Sequence, residues 1–152
     1  EEWKLHIVGD GDEREKLQNI INEKQLEHRI ILHGFLDKNE IEILMYQSSL
    51  YLMTSLTESF GLVLIEAQSY VHPCIAYDSA QGAKEIITSG KNGILIENRD
   101  RNHMVKEIVK CLQDLEYRQK IGKKGRENAL QYSKESIQSQ WYEFIDRIGK
   151  NV

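Results

Sequence analysis

Two carboxylates frame the most chemically loaded stretch of the chain, residues 57–78. Glu58 and Glu66 are separated by seven residues, with a Phe60-Gly61 step and a dense apolar run between and after them. Gly61 closes a loop, and residues 62–70 are apolar on nearly every helical face, which predicts a buried helix rather than a surface one. A buried helix that starts at glycine offers free N–H groups. The amides of Phe60, Gly61, Leu62 and Val63 would present donors and a positive dipole end to a phosphate above them. Glu66 falls on the side of Leu62 and Val63 among apolar neighbours, where an ionised carboxylate needs hydrogen-bond donors. Ligand hydroxyls, structural backbone amides or a basic side chain would each serve.

The scaffold that must position these groups is bounded by composition. At 152 residues, 40% hydrophobic and 29% charged, the chain has enough apolar material for one domain with a core and too little for two. A net charge of −4 argues against a general nucleic-acid surface. No apolar run approaches the roughly 20 residues of a membrane span, and no signal peptide is expected. Cys74, on an expected core strand, and Cys111, on a helix, form no metal spacing and fit free thiols in a reducing cytosol. An opening directly into a strand without an initiator Met leads us to expect an excised piece of a longer protein.

Strand and helix patterns alternate. Residues 4–8 read as a strand, Gly9-Asp10-Gly11-Asp12 as a turn, and Asp12 as the N-cap of a helix carrying Leu17, Ile20, Ile21 and Leu26. Arg14 stands where a dinucleotide fingerprint needs its third glycine, so this is a poor NAD motif. Asp10 and Asp12 mimic a metal-binding D-x-D, but carboxylates at a turn and a cap are the plainer account. Residues 29–33 form a second strand ending at Gly34-Phe35, Asp37 caps a helix with Ile41, Leu44 and Met45 on one face, and residues 50–53 form a third strand. His33 has no carboxylate or hydroxyl partner in the sequence and reads as a strand-end histidine rather than a catalyst. Pro73 leads into a strand over 74–77, a polar loop over 78–82 precedes a short helix with Glu85, Ile86 and Ile87, and Asn92-Gly93 turns into a last strand over 94–96. Residues 101–152 are helical: one helix over 103–115 with Met104, Ile108, Val109 and Leu112 on one face; a second over 116–131 interrupted near Gly122 and Gly125; a last capped by Ser133 and holding Ile137, Trp141, Phe144, Ile145 and Ile148. The charged run 118–126 reads as a solvated face. The order predicts a Rossmann-like, doubly wound parallel sheet flanked by helices.

Ser55, Glu58, Phe60-Gly61, Glu66-Ala67, Pro73 and the strand Cys74-Ile75-Ala76 together resemble the E-x7-E signature of retaining, nucleotide-sugar-dependent glycosyltransferases of family 4, which have the GT-B fold. The resemblance runs through nearly the whole chain and implies the carboxyl-terminal, donor-binding domain. It implies that the acid at Glu58 contacts hydroxyls of the transferred sugar, that Glu66 holds the ribose hydroxyls, and that Ser59, Phe60, Gly61, Leu62 and Val63 meet sugar and phosphate oxygens. A carboxylate suits hydroxyls because it accepts two such bonds at once. By the same resemblance Gly9 and Gly11 border the donor pocket, Gly34, Phe35 and Leu36 lie beside the base, and Asp78 and Gly82 line the pocket.

The sequence departs from the family at Val71, where relatives have a glycine before the x-Pro step; valine disfavours the left-handed cap, so the helix is expected to end in another geometry. Ala83 replaces a common proline. The family's first strand and helix, with an Arg and a Lys that clamp the diphosphate, are expected to be missing, so the strands at 4–8 and 50–53 would close up or admit a swapped second copy. The resemblance implies no cofactor or metal, a nucleotide diphosphate sugar (UDP-sugar first) as donor, a carbohydrate, lipid-linked or protein acceptor held by an absent amino-terminal domain, and a cytoplasmic setting, peripheral at the inner face of the membrane. The fragment alone is expected to be inactive. A Tyr-Asp pair before the glycine loop suggests a cell-wall, capsule or surface-adhesin branch. The competing readings are a nucleotide-sugar epimerase of the same fold and a degenerate, non-catalytic domain.

Overall fold

The computed structural model describes residues 2–79 and 81–150; Ala80, in the expected pocket loop, lies outside them. Strands and helices alternate as β1 (Leu5–Val8), α1 (Arg14–Glu23), β2 (Ile30–Gly34), α2 (Lys38–Gln47), β3 (Tyr51–Met53), α3 (Leu62–Ser69), β4 (Cys74–Tyr77), α4 (Gln81–Ile86) and β5 (Ile94–Ile96). Three helices close the chain: α5 (Arg101–Gln113), α6 (Leu115–Ala129) and α7 (Lys134–Gly149). Every ladder is parallel, as strand–helix–strand alternation requires. The strands form two sheets rather than the one expected, β1-β2 and β3-β4-β5, because β1 and β3 share no ladder among the described residues. The chain divides correspondingly into two compact units, Glu1–Tyr46 and Gln47–Val152.

In the second unit β4 is the middle strand and all four of its residues, Cys74 to Tyr77, are buried. An uninterrupted apolar strand is what a parallel sheet covered on both faces demands. Ile75, Tyr77, Ile94 and Ile96 pack with Met104 and Cys111 of α5. Val109 of α5 is exposed, so the inward face of that helix runs through Met104, Ile108 and Cys111 instead of Val109.

Several caps are as expected. Asp37 accepts from the amide of Glu40 (2.9 Å) while Glu40 accepts from the amide of Asp37 (2.8 Å), a reciprocal capping box. Ser133 accepts from the amide of Ser136 at 3.2 Å. Asp12 does not cap α1: Glu13 occupies that position without a side-chain bond, its carboxylate paired instead with Lys16. The charged run on α6 is not purely solvated, since Arg118 donates to the carbonyl of Cys111 (3.0 Å) and Arg126 donates to the carbonyl of Ser69.

Two expectations fail for related reasons. Val71 has φ +67, so it does adopt the left-handed conformation. The amide of Val71 donates to Gln68 O (3.0 Å) and that of His72 to Ala67 O (3.3 Å), the paired bonds of a Schellman end to α3. α6 is continuous through Gly122 and Gly125, because these glycines mark a close crossing rather than a break. A Cβ at Gly122 would overlap the carbonyl of Val71, and one at Gly125 would press on Gln68 and the carbonyl of Asn92. The crossing therefore locks the backbone of Val71 where its side chain would rather not be.

Val71→Gly should raise stability by about 1 kcal/mol, because it relieves a β-branched residue in the left-handed region. Gly122→Ala should lower it by about 3 kcal/mol through overpacking against an unyielding carbonyl. Urea unfolding midpoints of the two variants check both signs.

Candidate functional site

The carboxyl ends of β3, β4 and β5 lie side by side, and each releases a loop there. From β3 runs the segment Thr54, Ser55, Leu56, Thr57, Glu58, Ser59, Phe60, Gly61. Gly61 is left-handed (φ 83, ψ 42) and serves as N-cap of α3 without a side-chain bond; the amide of Leu64 turns back to Gly61 O at 2.8 Å. The amides of Leu62 and Val63 are thus the open donors of the helix end. Glu58 is partly buried, and its carboxylate accepts from the amide of Ser59 at 3.1 Å.

The rotation of α3 corrects the expectation of a helix buried all round. Leu64, Ala67 and Gln68 face inward, whereas Leu62 is 63% and Val63 37% exposed, and Glu66 is exposed beside them. Hydrophobicity spread around the helix does not select that rotation; a buried amide does. Gln68 donates to Asn92 O (3.0 Å) and accepts from Asn128 (3.0 Å); Asn92 and Asn128 both donate to Ile86 O, at 3.0 and 3.2 Å. The amide of Thr88 completes the set by donating to Asn92 Oδ1 (2.6 Å). A network so fully paired leaves α3 one low-energy rotation, since turning it would strand several buried polar atoms.

Gly82 of α4 is buried where a Cβ would overlap the backbone of Phe60. The helix backbone thereby rests on the Phe60-Gly61 tip, and the Phe60 ring meets Tyr132 edge-on with centroids 6.1 Å apart. Asp78, at the end of β4, is partly exposed and 3.9 Å from Lys84 Nζ. One participant was not foreseen: Arg99 donates to Thr54 O (3.0 Å), Ser55 O (2.9 Å) and Ser79 Oγ (3.0 Å). Its sequence setting, a polar turn after a short strand, carries no signal beyond that of a solvated cation.

Glu58, Ser59, Phe60, Gly61, Leu62, Val63, Glu66, Asp78 and Gly82 therefore all belong to one edge of the second unit. The remaining candidates belong to the first. There Gly9 (φ 125) donates from its amide to Gly34 O at 2.8 Å, and Gly34 is itself left-handed (φ 73). Gly9, Gly11 and Asp10 line a cavity of about 300 Å³ with Arg14, Leu17 and Leu32. Arg14 is no vestige of a failed motif. It reaches beneath Gly34 to donate to Leu32 O (3.3 Å) and lies 3.7 Å from Asp10, leaving Nη1 buried with no hydrogen-bond partner. Asp10 accepts from the amide of Gly11 at 2.8 Å, a turn role. Phe35 projects with 83% exposure and Leu36 is partly buried. His33 shares a 2.8 Å hydrogen bond with His6, their rings stacked 5.1 Å apart. Burial, then His33 and Lys4, lowers the pKa of His6.

Cys74 and Cys111 are free and buried. Burial raises the pKa of both, that of Cys111 to about 11. Burial first, then Cys74, Glu66 and Glu58, pushes the Tyr51 hydroxyl up to about 12. An unfolded tyrosine ionises near about 10, so the stability held in the neutral hydroxyl is full below that pH and is lost as pH rises toward the folded value. Tyr51→Phe should flatten the decline, read as urea midpoints of both proteins between about pH 8 and about pH 11.

Residues 1–128 match the family described as glycosyl transferases group 1. The chain is 34% identical over 139 residues to the poly(ribitol-phosphate) alpha-N-acetylglucosaminyltransferase of Staphylococcus aureus, covering 91% of this chain and 28% of the relative. It is 31% identical over 140 residues to the poly(glycerol-phosphate) alpha-glucosyltransferase of Bacillus subtilis, covering 92% and 20%. Among solved structures, TarM superposes with a TM-score of 0.80 at 33% identity over 92% of this chain and 28% of its own. HepE of Anabaena, in complex with UDP and glucose, superposes with a TM-score of 0.81 at 26% identity over 95% and 40%. The chain thus spans well under half the length of these proteins. Sequence family and fold agree: the chain belongs to the group 1 glycosyl transferases, of the GT-B fold.

Proposed function

We propose that this chain is the donor-binding half of a retaining glycosyltransferase that takes a sugar from a nucleotide diphosphate sugar, UDP-linked first among candidates, to an acceptor hydroxyl. The observation that carries the reading is the exposed face of α3, where the open amides of Leu62 and Val63, two uncovered apolar side chains and the Glu66 carboxylate share one surface beside Glu58. Carboxylates suit sugar and ribose hydroxyls, and helix-end amides suit diphosphate oxygens. Support for the donor comes from HepE, whose solved complexes hold UDP with glucose and UDP-glucose.

In such a reaction the departing diphosphate gathers negative charge as its bond to the sugar breaks. The amides at the start of α3 would stabilise that charge, and the acceptor hydroxyl would attack from the same face. Glu58 would orient the sugar and Glu66 the ribose; neither need act as a nucleophile. The acceptor would be held by a separate domain. The named activities of the S. aureus and B. subtilis relatives favour a polyol-phosphate or other cell-surface polymer as acceptor.

Calorimetric titration of the chain with UDP, ADP and GDP tests the reading. UDP should bind in preference to the purine nucleotides, and Glu66→Ala should weaken it at least about tenfold, the loss of a charge-assisted bond of about 1.5–3 kcal/mol. No binding of any nucleotide, or binding indifferent to Glu66, would sink it.

A further inference from the structure

One guanidinium joins the three loops at the carboxyl edge of β3, β4 and β5. Arg99 ends the short 3-10 turn Glu97–Arg99 that follows β5. From there its Nη1 donates to Ser55 O at 2.9 Å and Ser79 Oγ at 3.0 Å, and its Nη2 donates to Thr54 O at 3.0 Å. Its Cζ lies 4.3 Å from the ring centroid of Tyr77, the last residue of β4. The two carbonyls it grips are the root of the segment that carries Glu58.

The backbone is bent to allow this. Asn98 (φ 52) and Arg99 (φ 53) are both left-handed, a region that residues with a Cβ seldom occupy and almost never in succession. Bonds from an ionised donor are roughly twice as strong as neutral ones, which accounts for the retention of such a turn. Further along the segment, among the described residues, the backbone of Phe60 rests on Gly82. Leu56, between these supports, is 71% exposed.

We infer that Arg99 is the positioning residue of the Glu58 loop: it holds Thr54 and Ser55 so that Glu58 meets the donor's sugar while Glu66, set by α3, holds its place without help. The consequence for binding rests on the donor-site reading proposed above. Losing Arg99 should then harm recognition of the sugar and spare recognition of the nucleotide, a split that general destabilisation would not produce.

The test uses Arg99→Gly, which removes the guanidinium and relaxes the backbone, so the fold as a whole is not burdened. Amide hydrogen exchange is followed in the unliganded chain, and UDP and UDP-glucose are titrated calorimetrically into wild type and variant. Exchange over residues 56–61 should quicken about tenfold with that of β4 unchanged, and UDP-glucose should bind about tenfold more weakly while UDP binds as before. Arg99→Lys keeps the charge but not the two-pronged geometry, and should lie between. Unchanged exchange in both variants overturns the inference, and so does an equal loss of UDP and UDP-glucose binding. Should UDP fail to bind even the wild type, the donor-site reading falls, while the exchange measurement still decides the role of Arg99.

Discussion

The structure of the second unit depends on how α3 is held. Its two ends are fixed by left-handed residues, Gly61 at the start and Val71 just past the finish. Its inward face is seated by Leu64, Ala67 and Gln68. Neither end is free to shift, because Gly82 of α4 lies against the backbone of Phe60, and Gly122 of α6 against the carbonyl of Val71. Backbone meeting backbone leaves no side chain to yield, so both contacts transmit position directly. The location of the open amides of Leu62 and Val63 is thus set by packing at a distance from them.

Gln68 then decides which face looks outward. Among apolar neighbours a wrong rotation would bury Leu62 or Val63 as readily as Leu64, and the hydrophobic effect alone would not discriminate. The amides of Gln68, Asn92 and Asn128 do, since their donors and acceptors match one another and the carbonyl of Ile86 only in the observed arrangement. Specificity of rotation comes here from polar groups, and net stability from the apolar ones around them.

The same fact marks how far the sequence could be read. Strand and helix order was legible because short apolar runs alternate with capped helical patterns, and β4 and β5 lie where the apolar runs at 74–77 and 94–96 placed them. The exposure of Glu66 was not legible: a helix apolar on every face carries no periodic signal, and one buried glutamine in it looks like any surface residue. Val71 misled in the opposite direction. Local preference argued against a left-handed valine, but the crossing with α6, some fifty residues later in the chain, overrides it. The glycines of α6 read as helix breakers because close approach cannot be seen without the partner. Arg99 was silent for a related reason, its acceptors being main-chain carbonyls that no residue type announces.

The electrostatics of the edge follow from these placements. Burial is the first cause of the raised Tyr51 hydroxyl pKa, and Cys74, Glu66 and Glu58 add to it, so both carboxylate charges are felt in the neighbouring strand. A diphosphate approaching two carboxylates is repelled unless other groups offset them. At this edge the positive end of α3 is the group that would supply that offset. On the proposed reading the labour divides by chemistry. Acids grip hydroxyls, which have protons to give; helix-end amides grip phosphate, which has none. A ligand carrying only phosphate would feel the repulsion without the compensating hydroxyl bonds, and one carrying only sugar would leave the amides unanswered. A molecule that joins a sugar to a nucleotide through a diphosphate would, on that reading, satisfy both sets at once, its sugar toward Glu58 and its ribose toward Glu66.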